Sequence, residues 1–226
     1  VDKLMLLSEI NLFNELPMDE LKLIDELSEM RPVKKGTVIL SPDQPIEALF
    51  LLKRGQVRLY HMNAQGKQLT MDILVDGNIF GETSSLSLTD NEIYAEAMTD
   101  TYLCIIGKSE FEGLIEQNPK IAVKFINILS GRLKEVYSLS EKIAYSDVKY
   151  RLLYLLLKLS ERTGTRKGEW QSINMKLTHQ DMANMIGATR ETTSAILSQL
   201  KQDGLIKKQL RMHIQADEVK EMLELS

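Results

Sequence analysis

HQDMANMIGATRETTSAILS, residues 179–198, is the stretch that decides the reading of this 226-residue chain. Thr178 before it is a good helix N-cap, and Asp181 three residues on is close to a capping box. Met182, Ala183 and Ile186 give the first helix a buried face, with Ala183 small where two helices must cross closely. Gly187 supplies a turn that needs a left-handed residue. Thr189 then caps a second helix, anchored from beneath by Ile196, Leu197 and Leu200. That leaves Arg190, Glu191, Ser194, Ala195 and Ser198 facing outward from the start of the second helix. Those are the positions a recognition helix inserts into a major groove. Arginine can bond guanine O6 and N7 together, glutamate can accept from cytosine N4, and alanine can touch a thymine methyl. An ordinary helical hairpin would share the buried pattern, but it would not need this polar face.

Charge agrees with that reading only locally. The chain has 28 Lys and Arg against 32 Asp and Glu, a formal net charge of −4, which argues against a general nucleic-acid coat. Between Lys176 and Arg211, however, six basic residues face three acidic ones. Lys201 in this segment is expected on a phosphate. Around the two helices, residues 148–160 form a strongly apolar helix and 163–174 read as a loop with a short strand at most. Residues 205–215 read as a two-stranded wing, and 217–225 as a closing helix.

Further toward the N-terminus the periodicity changes. Glycines at 36, 55, 66, 77 and 81 separate short alternating runs. In one, Val57, Leu59 and His61 alternate with Gln56, Arg58 and Tyr60; in another, Leu69, Met71 and Ile73 alternate with Thr70 and Asp72. Residues 64–67 are a turn between these two. Many short strands with turns about every ten residues indicate an all-β barrel or sandwich over 31–107. Pro32, Pro42 and Pro45 are placed between or at the ends of strands. Residues 1–30 read as helix from the three-residue steps of Leu21, Ile24, Leu27 and Met30.

A long helix follows Asn118-Pro119. Ala122, Phe125, Leu129, Arg132, Val136, Leu139 and Ile143 alternate steps of three and four, an a/d seam expected to pair with a second copy of the chain. Packing on the chain's own barrel is the other use of such a seam. A second stripe, Ile126, Leu133 and Ile143, lets one face take the barrel and the other a partner. Tyr145-Ser146-Asp147 breaks the pattern and is a candidate hinge. The expected domains are therefore a sensing β-roll over 1–117, a dimerisation helix and hinge over 118–146, and a winged helix-turn-helix over 147–226.

With these residues in view, the chain resembles the cyclic AMP receptor protein and fumarate–nitrate reductase regulator (CRP/FNR) family over nearly its whole length. The resemblance rests on FLLKRGQVRL at 50–59, GNIFGE at 77–82, Gln117-Asn118-Pro119, and Thr189-Arg190-Glu191-Thr192. It implies an α+β architecture: a double-stranded β-helix sensor of the cyclic-nucleotide-binding jelly-roll type, a long helix dimerising in parallel, and a winged helix-turn-helix. It further implies double-stranded DNA and RNA polymerase as partners, and an effector that reorients the DNA-binding domains. Arg190 and Glu191 match the family's base-reading positions, Ala195 stands where a second reading arginine is usual, and Gln180 matches a glutamine close to phosphate or base.

The resemblance places an effector pocket at Gly81, Glu82, Thr83, Ser84, Asn91, Glu92, Val136 and Tyr137, but with altered chemistry. Where cyclic-nucleotide binders carry an arginine for the phosphate, this chain has Asn91-Glu92, and glutamate repels a phosphate. Val136-Tyr137 replaces the usual Thr-Ser beside the purine. The N-terminal cysteine cluster of the oxygen-sensing branch is missing. No cofactor is evident; haem would have to use His61, a methionine or Cys104, and a small-molecule effector stays open. A lone Cys104 makes no intramolecular disulfide or metal centre and is expected to be a small buried residue in a reducing, cytoplasmic protein. The start of the chain lacks a basic segment followed by an apolar one, so no signal peptide is expected, and no run is long enough to span a membrane. An enzyme with a cupin-like barrel would need a His/Glu metal set, and the barrel holds only His61. A pure effector-binding module would not need residues 178–203. The expectation is a DNA-binding transcription regulator, not an enzyme.

Overall fold

The computed structural model describes residues 7–8, 10, 12–13, 16–82, 88–89, 92–145 and 147–224. The chain divides into two compact units, Val1–Glu135 and Val136–Ser226, and the division falls inside one long helix.

Among the described residues of the first unit, helix α1 (Met18–Leu27) precedes eight strands. These are β1 (Glu29–Val33), β2 (Val38–Leu40), β3 (Ala48–Arg54), β4 (Val57–Met62), β5 (Gln68–Leu74), β6 (Ile79–Glu82), β7 (Tyr94–Ala97) and β8 (Thr101–Gly107). They form two antiparallel sheets of order β1-β8-β3-β6 and β2-β7-β4-β5, the strand order of a jelly roll. Strand β3 shows how period two builds the core. Ala48, Phe50 and Leu52 enter one cluster with Val57, Leu59, Leu74 and Leu103. Leu49 and Leu51 point the other way, to a second cluster with Ile24, Phe111, Ile121 and Phe125. Strand β3 is therefore buried on both faces, which is why it reads as a continuous apolar run. Helix α2 (Lys108–Gln117) and the start of α3 (Pro119–Tyr145) supply much of the second cluster.

Three expectations change here. Met30 is not helical: α1 ends at Leu27, and Met30 lies in β1 opposite Cys104. The three-residue steps ran past the helix because a strand begins two residues after it. Pro32 lies within β1, opposite Tyr102; it is tolerated because β1 is an edge strand. In β4 the alternation does not sort burial: Arg58 and Tyr60 are buried as well as Val57 and Leu59, and the pairing with β5 shifts register at Leu59/Tyr60. Arg58 is satisfied by Glu96 at 2.9 Å and Gln68 at 2.7 Å, with its guanidinium 4.3 Å from the Tyr60 ring centre.

The second unit contains the apolar helix α4 (Val148–Thr163), capped by Asp147, which accepts from the Tyr150 N–H. Residues 163–174 are more regular than the loop expected, forming hairpin β9 (Arg166–Lys167) and β10 (Trp170–Ile173). Helices α5 (His179–Ile186) and α6 (Arg190–Gln202), hairpin β11 (Ile206–Lys208) and β12 (Met212–Gln215), and helix α7 (Ala216–Glu224) complete it. The wing pairs with β10, giving one sheet of order β11-β12-β10-β9. Leu152, Leu156, Met182, Leu200, Ile214 and Val219 are the centre of its core.

Candidate nucleic-acid interface

The site begins with two capped helices and the turn between them. Thr178 and Asp181 make a complete capping box: the Thr178 hydroxyl accepts from the Asp181 N–H, and the Asp181 carboxylate accepts from the Thr178 N–H at 2.8 Å. Gly187 ends α5 with φ +65°, the left-handed conformation expected of it. Thr189 then caps α6 by accepting from the Thr192 N–H at 3.1 Å. Met182, Ala183 and Ile186 are buried beneath, with Leu197 and Leu200 of α6. Ile196 is only half-buried, and its anchoring role is shared by Thr193, which is fully buried. The Thr193 hydroxyl donates to the Thr189 carbonyl at 2.9 Å, which satisfies it. Arg151 on α4 donates to the carbonyl of Ile186 at 3.0 Å and so holds the end of α5. Neither Thr193 nor Arg151 was legible as part of the site, because one looks like a surface threonine and the other lies 35 residues away.

On the outward side, Arg190, Glu191, Ala195, Ser198 and Lys201 are exposed, and Ser194 is half-buried. Arg190, Thr178, His179 and Gln180 line one recess of about 510 Å³. Gln180 donates to Asn184 at 2.8 Å. His179, which the sequence reading passed over, places its Nδ1 2.7 Å from the Ser194 hydroxyl and so joins the two helices. On the wing, Lys207 lies 3.8 Å over the Trp170 ring, and Arg211 donates to Asn174 at 2.6 Å. Guanidinium, amide and hydroxyl groups thus converge at the start of α6. Such a surface can read base edges and hold phosphates.

The expected partner-facing seam divides differently. Phe125 is 2% exposed and packs against Phe111, with ring centres 5.8 Å apart. Leu129 packs on the same cluster. Arg132 donates to the carbonyls of Ile79 and Leu88. Phe125, Leu129 and Arg132 thus contact the β-roll, with half-buried Ala122 on the same line of the helix. The apolar line left open on α3 is Val123, Ile126, Leu133 and Tyr137, with Val136 beside it. Val136 is the one expected seam residue with a described side chain that remains exposed; the side chains of Leu139 and Ile143 lie outside the described residues.

For the effector pocket, Gly81 and Glu82 end β6. Gly81 has φ +100°, and a β-carbon there would collide with the Ala48 carbonyl, so only glycine fits. Glu92 is exposed, and Val136 and Tyr137 are exposed on α3. Thr83, Ser84 and Asn91 lie outside the described residues. Cys104 is fully buried on β8, facing the helices, while His61 belongs to the other sheet, so the two do not form a ligand pair. Among the described residues no group of three or more His, Cys, Asp or Glu is placed to hold a metal ion, and no helix is long and apolar enough to cross a membrane.

A jelly roll followed by a winged helix-turn-helix defines a DNA-binding transcription regulator with an N-terminal sensor-type domain. Residues 30–118 match the cyclic nucleotide-binding domain family and residues 150–224 the Crp-like helix-turn-helix domain family. The chain belongs to the CRP/FNR family, whose members are regulators of transcription and not enzymes. It is 28% identical over 201 residues to the global nitrogen regulator of Synechococcus elongatus, covering 88% of each chain. It is 28% identical over 196 residues to the cyclic AMP receptor protein of Thermus thermophilus, covering 87% of this chain and 88% of that one. The structure of a CooA mutant from Carboxydothermus hydrogenoformans shares the fold, with a TM-score of 0.75 at 22% identity over 88% of this chain and 89% of that one.

Proposed function

We propose that the protein is a cytoplasmic homodimer that reads an inverted-repeat operator and does not respond to cyclic AMP. The carrying observation is the capped pair α5 and α6, with Arg190 and Glu191 exposed at the start of α6 beside the recess lined by Thr178, His179 and Gln180. Arg190 reads a guanine and Glu191 an opposing cytosine; Ser194, Ala195 and Ser198 face the next bases; Thr178, Gln180, Thr189 and Lys201 position the backbone. Two such helices related by a two-fold axis reach half-sites about 34 Å apart.

The partner surface is the exposed apolar line Val123, Ile126, Leu133 and Tyr137, which repeats at steps of three, seven and four. Ser130 completes the heptad rhythm between Ile126 and Leu133. Against cyclic AMP stand Glu92 near the phosphate arginine's place and the bulky Val136-Tyr137 pair in place of small hydroxyl residues. A redox or protein signal, or regulation by abundance, suits these positions better, and RNA polymerase is the further partner. Selection of operators from random duplexes by the purified protein tests the reading. An enriched inverted repeat with guanine at the Arg190 position supports it; recovery of unenriched sequences overturns it.

A further inference from the structure

Resting on that reading, we propose that His179 is a specificity-determining positioning residue: it accepts the Ser194 hydroxyl proton, so that Ser194 can only accept a hydrogen bond from DNA. A serine hydroxyl has one proton and two acceptor sites. The described geometry gives the Ser194 Oγ one side-chain partner, His179 Nδ1, at 2.7 Å. In a neutral imidazole one nitrogen donates and the other accepts. His179 lines the recess that Arg190 also lines. With the hydrogen on Nε2, Nδ1 is the acceptor and the Ser194 hydroxyl donates to it.

The next turn of the helix repeats this polarity. The Ser198 hydroxyl donates its proton to the Ser194 carbonyl at 3.0 Å. Both serines on the reading face thus present lone pairs to the groove, as does Glu191. Base edges that donate in the major groove are adenine N6 and cytosine N4, whereas guanine and the thymine O4 offer acceptors. The half-site should then hold guanine under Arg190 and amino-bearing bases, adenine or cytosine, under Ser194 and Ser198.

The test uses the full-length protein and the operator selected by it. Binding to all single-base variants is measured for wild type, Ser194→Ala, His179→Phe and His179→Asn. Ser194→Ala identifies the base pair read by that hydroxyl, at which wild type should prefer a donor edge by about three- to tenfold, the weight of one hydrogen bond. His179→Phe keeps an aromatic ring but removes the acceptor, and should abolish that preference while leaving guanine selection under Arg190 intact. His179→Asn places an amide oxygen near the position of Nδ1 and should restore it. An unchanged preference in His179→Phe, or a wild-type preference for guanine or thymine at that position, overturns the inference with DNA reading intact. Failure of the wild type to select any operator overturns the reading beneath it instead.

Discussion

Replacing Ile126 and Leu133 together by glutamate should convert the dimer to monomers. The two side chains are 59% and 51% exposed in the single chain, so about half of each remains to be buried. Full burial of such a side chain contributes about 1.5–3 kcal/mol, and half of it roughly 1 kcal/mol. A two-fold interface counts each position twice, so the double variant loses about 4 kcal/mol before any charge repulsion. That corresponds to roughly a thousandfold in the dimer dissociation constant. Sedimentation over a concentration series measures it directly. Phe125 supplies the contrast, because its ring is already spent on Phe111 and the β-roll. Phe125→Ala should cost about 3–5 kcal/mol of folding stability, seen as a lowered melting temperature, while sedimenting as a dimer below that temperature. A glutamate variant that keeps the wild-type dissociation constant, or a Phe125→Ala protein that stays fully stable but becomes monomeric, would refute the assignment of faces on α3.

Arg190→Ala should cost about 1–3 kcal/mol per half-site and relax preference at one base, whereas Lys201→Ala should weaken all duplexes alike and flatten the salt dependence; titrations on operator variants at several salt concentrations separate the two. Uniform weakening by Arg190→Ala would mean that Arg190 holds a phosphate. Thr189→Ala removes the acceptor for the Thr192 N–H and should destabilise the second unit by about 1 kcal/mol in denaturant titration, with Thr189→Ser close to wild type. Cyclic AMP should give no submicromolar binding isotherm in calorimetry, and a tight site would show that Glu92 and Val136-Tyr137 do not obstruct the pocket.

The helix-turn-helix was legible in the sequence because its determinants act over a few residues. A threonine cap, an aspartate three positions on, a left-handed glycine and a buried stripe at helical spacing each work within one or two turns of chain. The jelly roll was legible as a class from its glycine-spaced short strands, but not in its pairing, since Cys104 opposite Met30 joins residues far apart in sequence. The long helix shows where local reading ends. It carries two apolar stripes, both with the steps of a seam, and periodicity cannot rank them. Docking against the outer face of the β3 sheet decides: Phe125, Leu129 and Arg132 meet it, which leaves Val123, Ile126 and Leu133 open. The His179 contact with Ser194 belongs to the same category. Fifteen residues separate them, and only the crossing of α5 over α6 brings ring and hydroxyl together. Identity of residues determined which groups the site could use; the crossing of helices, a long-range packing outcome, decided which of those groups meet.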